Sequence, residues 1–72
     1  MKKKSICLFG HRTSITLEEE FWDALKEIST QKEFSVQKLV EEIDEKRTHK
    51  NLSAAIRIYI LGFYQKASFN VS

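Results

Sequence analysis

The feature that most limits the possible folds is a short alternating segment that leads directly into helical sequence. In residues 13–17 polar and apolar side chains alternate with the period of a β-strand, and Ile15 and Leu17 would share one face. The opposite face would carry the polar side chains Arg12, Ser14 and Thr16. Because Glu18 already begins a helical pattern, the chain has to pass from strand to helix with almost no loop.

The segment before this strand is also β-prone. Residues 5–9 are largely apolar, and Gly10 separates them from the alternating segment, which leaves open whether the two runs form one bent strand or a hairpin. Cys7 lies among apolar neighbours, so we expect a packed side chain rather than a nucleophile. Because a single short strand is not stable in water, we expect antiparallel pairing with the same strand of a second chain, which would create a two-stranded ribbon.

Apolar spacing predicts three helices after the strand, at residues 18–32, 35–46 and 52–66. The expected N-caps are Thr16, in a capping box with Glu19, then Ser35 and Asn51. The third helix is apolar on most sides, which is typical of a helix buried in a core or an interface.

These elements predict a mainly α-helical fold with an N-terminal strand, or ribbon, followed by three helices. The chain would form a single domain over residues 1–72, with a polar connection at 47–50 and frayed ends at 1–4 and 68–72.

A chain of 72 residues can bury only a small core. Cys7 is the only cysteine, and one cysteine with two histidines cannot supply four ligands for a structural zinc. We therefore expect no metal, no cofactor and an intertwined homodimer that shares its core. The residues expected in the dimer core are Ile15, Leu17, Phe21, Trp22, Leu25, Leu39, Val40, Ile43, Ile56 and Ile60.

Charge is distributed unevenly along the chain. Residues 1–17 contain four basic residues and no acid, whereas all ten acids lie within residues 18–45, beside three lysines. A basic end next to an acidic middle favours a polyanionic partner at the basic end.

Other classes of protein fit this sequence less well. The carboxylates of the first helix fall on a solvated face, without the burial that acid–base catalysis needs, so we do not expect an enzyme. The longest apolar segment, residues 52–64, contains Arg57 and is shorter than the roughly 20 residues of a membrane span. With no visible secretory signal and a single cysteine, the sequence predicts a soluble, cytoplasmic protein.

The strand and the helices after it resemble the ribbon-helix-helix repressors, the group of Arc and MetJ. The motifs that carry the resemblance are residues 12–17, the amphipathic helix after them and the helix that starts at Ser35. More narrowly, residues 10–15, 21–22, 43–44 and 51–53 resemble a bacterial group of ribbon-helix-helix domain proteins. This resemblance implies a homodimeric transcription regulator, such as a repressor, that inserts its ribbon into the major groove of double-stranded DNA. It places Arg12, Ser14 and Thr16 at the base edges.

The first turn of the second helix is a second predicted contact with DNA. Its free backbone N–H groups, with hydroxyl and basic side chains nearby, would bind a phosphate. The predicted phosphate contacts are Lys2, Lys3, Lys4, His11, Ser35, Val36 and Lys38. His11 equally fits a surface position without such a contact.

A second interpretation keeps the homodimer but replaces DNA with a protein. Tyr59, Phe63 and Tyr64 of the third helix would then bind a partner, as in an interaction module or an antitoxin-like protein. An exposed apolar patch on this helix in the dimer would favour this interpretation, and full burial would favour the regulator. The regulator could also assemble further on DNA, as two dimers side by side on an operator. The operator sequence, the regulated genes and any effector are not predicted.

Overall fold

The structure, a computed structural model, describes residues 1–48 and 50–71, with side chains described as far as Lys66. Its elements are two strands and three helices: β1 (Lys2–Leu8), β2 (His11–Leu17), α1 (Glu19–Gln31), α2 (Val36–Lys46) and α3 (Leu52–Val71). This order confirms the mainly α-helical fold with an N-terminal ribbon. His49 of the predicted polar connection and Ser72 of the predicted C-terminal tail lie outside the described residues.

The ribbon is an antiparallel hairpin within one chain. Leu8 and His11 are opposite each other next to the turn, which consists of Phe9 and Gly10. These two residues have φ angles of 51° and 83°, the positive values of a type I′ turn, whose twist suits a two-residue hairpin loop. The two runs thus form a hairpin, the alternative that the sequence left open, and β1 fills one edge of β2. The expected pairing of β2 with a second chain, at its other edge, stays a prediction.

The junction between β2 and α1 differs from the predicted capping box. Glu18 is the N-cap, with φ −60° and ψ 147°, and no side chain caps this end of the helix. Because β2 extends through Leu17, the helix starts too late for the Thr16 hydroxyl to reach its first N–H groups. The prediction of Thr16 as N-cap is wrong, and this side chain belongs to the ribbon.

The link between α1 and α2 is a Schellman motif followed directly by a new N-cap. Glu33, at φ 60°, donates its N–H to the carbonyl of Thr30 at 3.1 Å, and Phe34 donates to the carbonyl of Ser29 at 2.8 Å. The Ser35 hydroxyl then accepts from the N–H of Lys38 at 3.1 Å, which confirms the predicted cap of α2.

Strand β1 includes residues 2–4 and helix α3 includes residues 68–71, so secondary structure extends into both ends that were expected to fray; that these ends fray stays a prediction. Asn51 Oδ1 accepts from the N–H of Ala54 at 3.3 Å, as predicted for the N-cap of α3, but the helix continues to Val71. Since no glycine or proline follows Gly62, the sequence contains no helix breaker there. At the other end, residues 2–4 are paired within β1.

The core lies between the hairpin and the helices. α2 packs against β1, α3 packs against β2, and both helices contact each other and α1. The buried apolar side chains are Leu8, Ile15, Leu17, Trp22, Leu25, Ile28, Leu39, Val40, Ile43, Ala55, Ile56 and Ile60. Nine of the ten residues predicted for a dimer core are thus already buried in the single chain, and Phe21 is partly buried. Their role in a dimer stays a prediction.

Among the described residues, no helix combines the length and the apolar character needed to cross a membrane.

Candidate nucleic-acid interface

The two faces of the hairpin have opposite chemistry. On the inner face Ile15 and Leu17 are 1% and 0% exposed, because they close over the helices. The outer face is formed by three directly opposed pairs of side chains: Lys3 with Thr16, Ser5 with Ser14, and Cys7 with Arg12. All of them are exposed except Thr16, which is half-buried. The predicted separation of Arg12, Ser14 and Thr16 from the apolar side chains of β2 is therefore confirmed.

Two residues of this outer face, Ser5 and Cys7, were not predicted. Cys7 is exposed, so the expectation that it packs among apolar neighbours is wrong. Its actual neighbours across the strand are set by the hairpin register, which places Ile6 and Leu8 inside and Cys7 outside. The sequence signal for these two residues was the alternation of apolar Ile6 and Leu8 with Ser5 and Cys7. This alternation shows which β1 residues share a face with Arg12 only when the two-residue turn fixes the register.

The three N-terminal lysines do not point the same way. Lys2 and Lys4 are opposite Leu17 and Ile15, on the side of the helices, whereas Lys3 is opposite Thr16 on the outer face. Trp22 of α1 contacts this segment from the side of the helices. Its indole Nε1–H donates to the backbone carbonyl of Lys2 at 2.8 Å, and Lys4 Nζ lies 5.0 Å from the ring centroid. Of the predicted phosphate contacts in this run, only Lys3 thus shares a face with Arg12.

The hairpin turn is attached to α2. The N–H of Phe9 donates to Glu41 Oε2 at 2.9 Å, so the tip of the ribbon is held against the second helix. His11, the first residue of β2, is exposed beside this turn.

The N-terminus of α2 lies beside β1. Lys4, Ser5, Lys26, Val36 and Gln37 are among the residues that line a cavity of about 420 Å³ between the strand, α1 and the start of α2. The N–H groups of Val36 and Gln37 belong to the first helical turn, where a helix provides no acceptor. The structure therefore brings the predicted phosphate-binding turn next to the ribbon, with Ser35 and Lys38 exposed at the same helix end.

The charge of the ribbon is basic along both strands, since residues 2–17 contain four basic residues and no acid. The first acid after it, Glu18, is engaged elsewhere, because Arg57 Nε donates to Glu18 Oε1 at 2.9 Å. A hydrogen bond to the backbone, and then the bond from Arg57, hold the pKa of Glu18 below its ordinary value. The described part of the chain contains no cluster of side chains suited to hold a metal ion.

A second surface with a clear chemical character is the outer side of α3. Ile58, Leu61 and Tyr64 are 49%, 53% and 38% exposed, and their spacing places them on one side of the helix. We call these three residues the α3 stripe. The Tyr64 hydroxyl donates to Glu27 Oε2 at 3.3 Å, and burial, followed by the charge of Glu27, raises the pKa of Tyr64.

Comparison with known families places these features in context. A family model described as a ribbon-helix-helix domain matches residues 1–64. Domains of this kind are generally DNA-binding transcription regulators or antitoxins, are typically not enzymes, and bind DNA as dimers. No match was found among curated proteins or solved structures. Because the family match covers most of the chain and agrees with the order of its strands and helices, the chain belongs to the ribbon-helix-helix domain family.

Proposed function

We propose that this protein is a homodimeric transcription regulator that places the outer face of its ribbon in the major groove of double-stranded DNA. The observation that carries the proposal is the division of β2, whose apolar side chains are buried while Arg12 and Ser14 are exposed. The major groove is about 12 Å wide, which admits a two-stranded ribbon.

The side chains of β2 suit base recognition. Arg12 has the planar fork that donates two hydrogen bonds to guanine O6 and N7. The hydroxyls of Ser14 and Thr16 donate to or accept from any base, and the Thr16 methyl group fits beside a thymine methyl. Because Thr16 does not cap α1, its hydroxyl is not committed to that helix.

The proposed phosphate contacts lie on both sides of this reading surface. Val36 would bind through its N–H, and Ser35 through a hydroxyl whose hydrogen is still free to donate while its oxygen accepts from Lys38. Lys38 and His11 are exposed nearby, and Lys2, Lys3 and Lys4 add positive charge along β1. Such contacts fix the register of a protein on DNA without reading sequence.

The test of the reading role compares two substitutions at one position. A preferred duplex is first selected from genomic fragments, and its affinity is then measured against a scrambled duplex of equal length. Arg12→Ala should remove the preference and lower the salt dependence, whereas Arg12→Lys should keep the salt dependence and still lose most of the preference. Lys46→Ala, at the far end of α2, is the matched control for loss of one charge. Unchanged preference in both Arg12 variants would contradict the proposal.

A second candidate function, an antitoxin-like or other protein-binding module, is favoured by the α3 stripe. Leu61 is more than half exposed in the single chain, so some partner is expected to cover it. In the first proposal that partner is a second copy of this chain. In the second, the stripe remains exposed in the homodimer and binds a different protein.

A further inference from the structure

We propose that a groove between the end of α1 and α3 is a binding site for a small organic anion with an apolar body, such as an aromatic or acyl carboxylate. The inference goes beyond the proposed function, because the site lies on the helices and does not depend on DNA. We call this site the α3 groove, and it is lined by Lys32, Ile58, Tyr59, Gly62, Phe63 and Lys66.

The α3 groove is large enough for a small molecule. It has a volume of about 420 Å³. A second cavity of about 270 Å³ adjoins it, because Lys32, Ile58 and Tyr59 line both. Sites for small ligands are typically about 300–1,000 Å³ in volume and mostly apolar, with a few polar groups that fix the orientation of the ligand.

The floor of the α3 groove is apolar and open. Tyr59 and Phe63 are four residues apart and half-buried, so their rings lie along the same side of α3. Gly62 lies beside them, and a Cβ atom added there would meet nothing within 4 Å, so the helix backbone borders open space at this point. Two aromatic rings next to a position without a side chain suit a flat apolar body.

The rim of the α3 groove is positively charged. Lys32 and Lys66 are exposed, and Lys32 Nζ lies 5.9 Å from the centroid of the Tyr59 ring. Within the part of the chain that the structure describes, neither lysine has a carboxylate partner. The sequence of α3 contains no acid, and Glu42 is the one acid among the described residues that line the adjoining cavity. An anion in the groove would therefore meet two unpaired cations.

The position of Lys66 also argues for a ligand. Lysines near the end of a helix are often explained by the helix dipole, whose effect is confined to the last turn. Lys32 at the end of α1 fits that explanation. Lys66 does not, because α3 continues to Val71 and has no basic residue in its last turn.

A second copy of this chain is the main alternative occupant. In a symmetric contact of the α3 groove with itself, the lysines of one copy would approach those of the other, and like charges repel. The α3 stripe beside the groove is apolar and lacks this obstacle. Charge complementarity therefore favours an anion in the groove.

Two fluorescent probes with the same ring system test this chemistry. 8-Anilinonaphthalene-1-sulfonate is an anion with an apolar body, and N-phenyl-1-naphthylamine is the same molecule without the sulfonate. Each is titrated with the full chain. We expect saturable binding of the sulfonate that is at least about fivefold tighter than that of the neutral probe, as one exposed ion pair would give. Inorganic phosphate, which has the charge without the apolar body, should not displace it.

Substitutions at the rim locate the bound probe. Lys32→Gln and Lys66→Gln should each weaken binding of the sulfonate about fivefold and that of the neutral probe by less than about twofold. Lys26→Gln is the matched control, because Lys26 is an exposed lysine of α1 that lines a different cavity, beside β1. It should change either affinity by less than about twofold.

Substitutions at Gly62 test the floor. Gly62→Leu should fill the open space and weaken binding of both probes at least about tenfold, because it leaves no room for the ring system. Gly62→Ala, which adds a single methyl group, should have a smaller effect. Circular dichroism checks that both variants keep their helices, as the higher helix propensity of leucine and alanine predicts.

The inference is overturned if the two probes bind with equal affinity, if Lys26→Gln loses as much affinity as Lys32→Gln, or if Gly62→Leu binds as the original protein does. An absence of saturable binding also overturns it, and is the result expected if a second copy covers the groove. DNA binding is measured separately, so none of these results bears on the proposed function.

Discussion

Glu33 occupies a backbone position that usually belongs to glycine. Its φ of 60° is the left-handed conformation at the C′ position of α1, where the chain turns towards α2. Glu33 is exposed, so its side chain buries little surface that would offset the cost of the left-handed conformation. The connection between the two helices depends on the hydrogen bonds of this turn and on Phe34, which packs against the core.

Glu33→Gly should therefore stabilise the protein by about 1 kcal/mol, because glycine adopts the left-handed region without the cost that other residues incur. For a domain of this size that gain corresponds to a rise in Tm of about 4–8 °C, measurable by circular dichroism. Glu45→Gly, the same exchange at an exposed site within α2, should instead lower Tm. If Glu33→Gly and Glu45→Gly lowered Tm by the same amount, the role assigned to Glu33 would be contradicted.

Trp22 reinforces the direction that the hairpin register gives to the start of β1. It is buried, its indole N–H donates to the Lys2 carbonyl, and the Lys4 ammonium group lies over its ring. Together with the pairing of residues 2–4 in β1, these contacts give Lys3 a defined direction.

The hairpin and α3 each contain one glycine, and the two glycines lie in different backbone environments. Gly10 has φ 83° in the turn, and Gly62 lies within α3. A Cβ atom added at either position meets nothing within 4 Å, so any effect of alanine comes from the backbone alone.

Gly10→Ala should destabilise the protein by about 1 kcal/mol, because alanine disfavours the positive φ of the turn. Gly62→Ala should stabilise it by about 0.5–1 kcal/mol, through the higher helix propensity of alanine. Urea unfolding of both variants measures the difference. If Gly10→Ala were as stable as the original protein, the type I′ turn would be ruled out.

The sequence predicted well the elements whose apolar residues recur with a clear helical period. The apolar spacing located α1 within one residue at each end, and the caps Ser35 and Asn51 located the starts of α2 and α3. The end of α3 was missed because polarity increases after Tyr64 while nothing in the sequence breaks the helix.

The hairpin was less predictable because the face of each β1 side chain depends on its register. A shift of one residue exchanges the two faces, and the register is set by the turn at Phe9 and Gly10 rather than by composition. Phe9 is an unusual residue for a positive φ, so the turn lacked the common Asn-Gly signal. The outer side chains of β2 were identified from alternation, but Ser5 and Cys7 needed the pairing itself.

For the whole molecule, the structure separates two surfaces, the outer face of the ribbon and the α3 stripe. The ribbon face is polar and basic, whereas the α3 stripe is apolar. This separation allows one molecule to bind DNA on one side and a second copy on the other. Family members bind DNA as dimers, and in the proposed function a second copy of this chain covers the α3 stripe.

Leu61→Asp should convert the dimer into a monomer, since it places a charge in the middle of the α3 stripe. Light scattering coupled to size-exclusion chromatography measures the mass directly. Phe9→Asp is the matched control, because Phe9 is 57% exposed, close to the 53% of Leu61, and lies in the hairpin turn. A dimer that survives Leu61→Asp would place the dimer interface elsewhere and leave the α3 stripe for a different protein, as in the second candidate function.

The central claim, that the ribbon binds double-stranded DNA, is tested most directly by fluorescence anisotropy on labelled genomic fragments at several salt concentrations. We predict a preferred fragment and an affinity that falls with salt at a log–log slope of about −4 or steeper, which corresponds to four or more phosphate contacts. An absence of binding to any fragment at about 50 mM salt, where electrostatic attraction is strong, would contradict the claim.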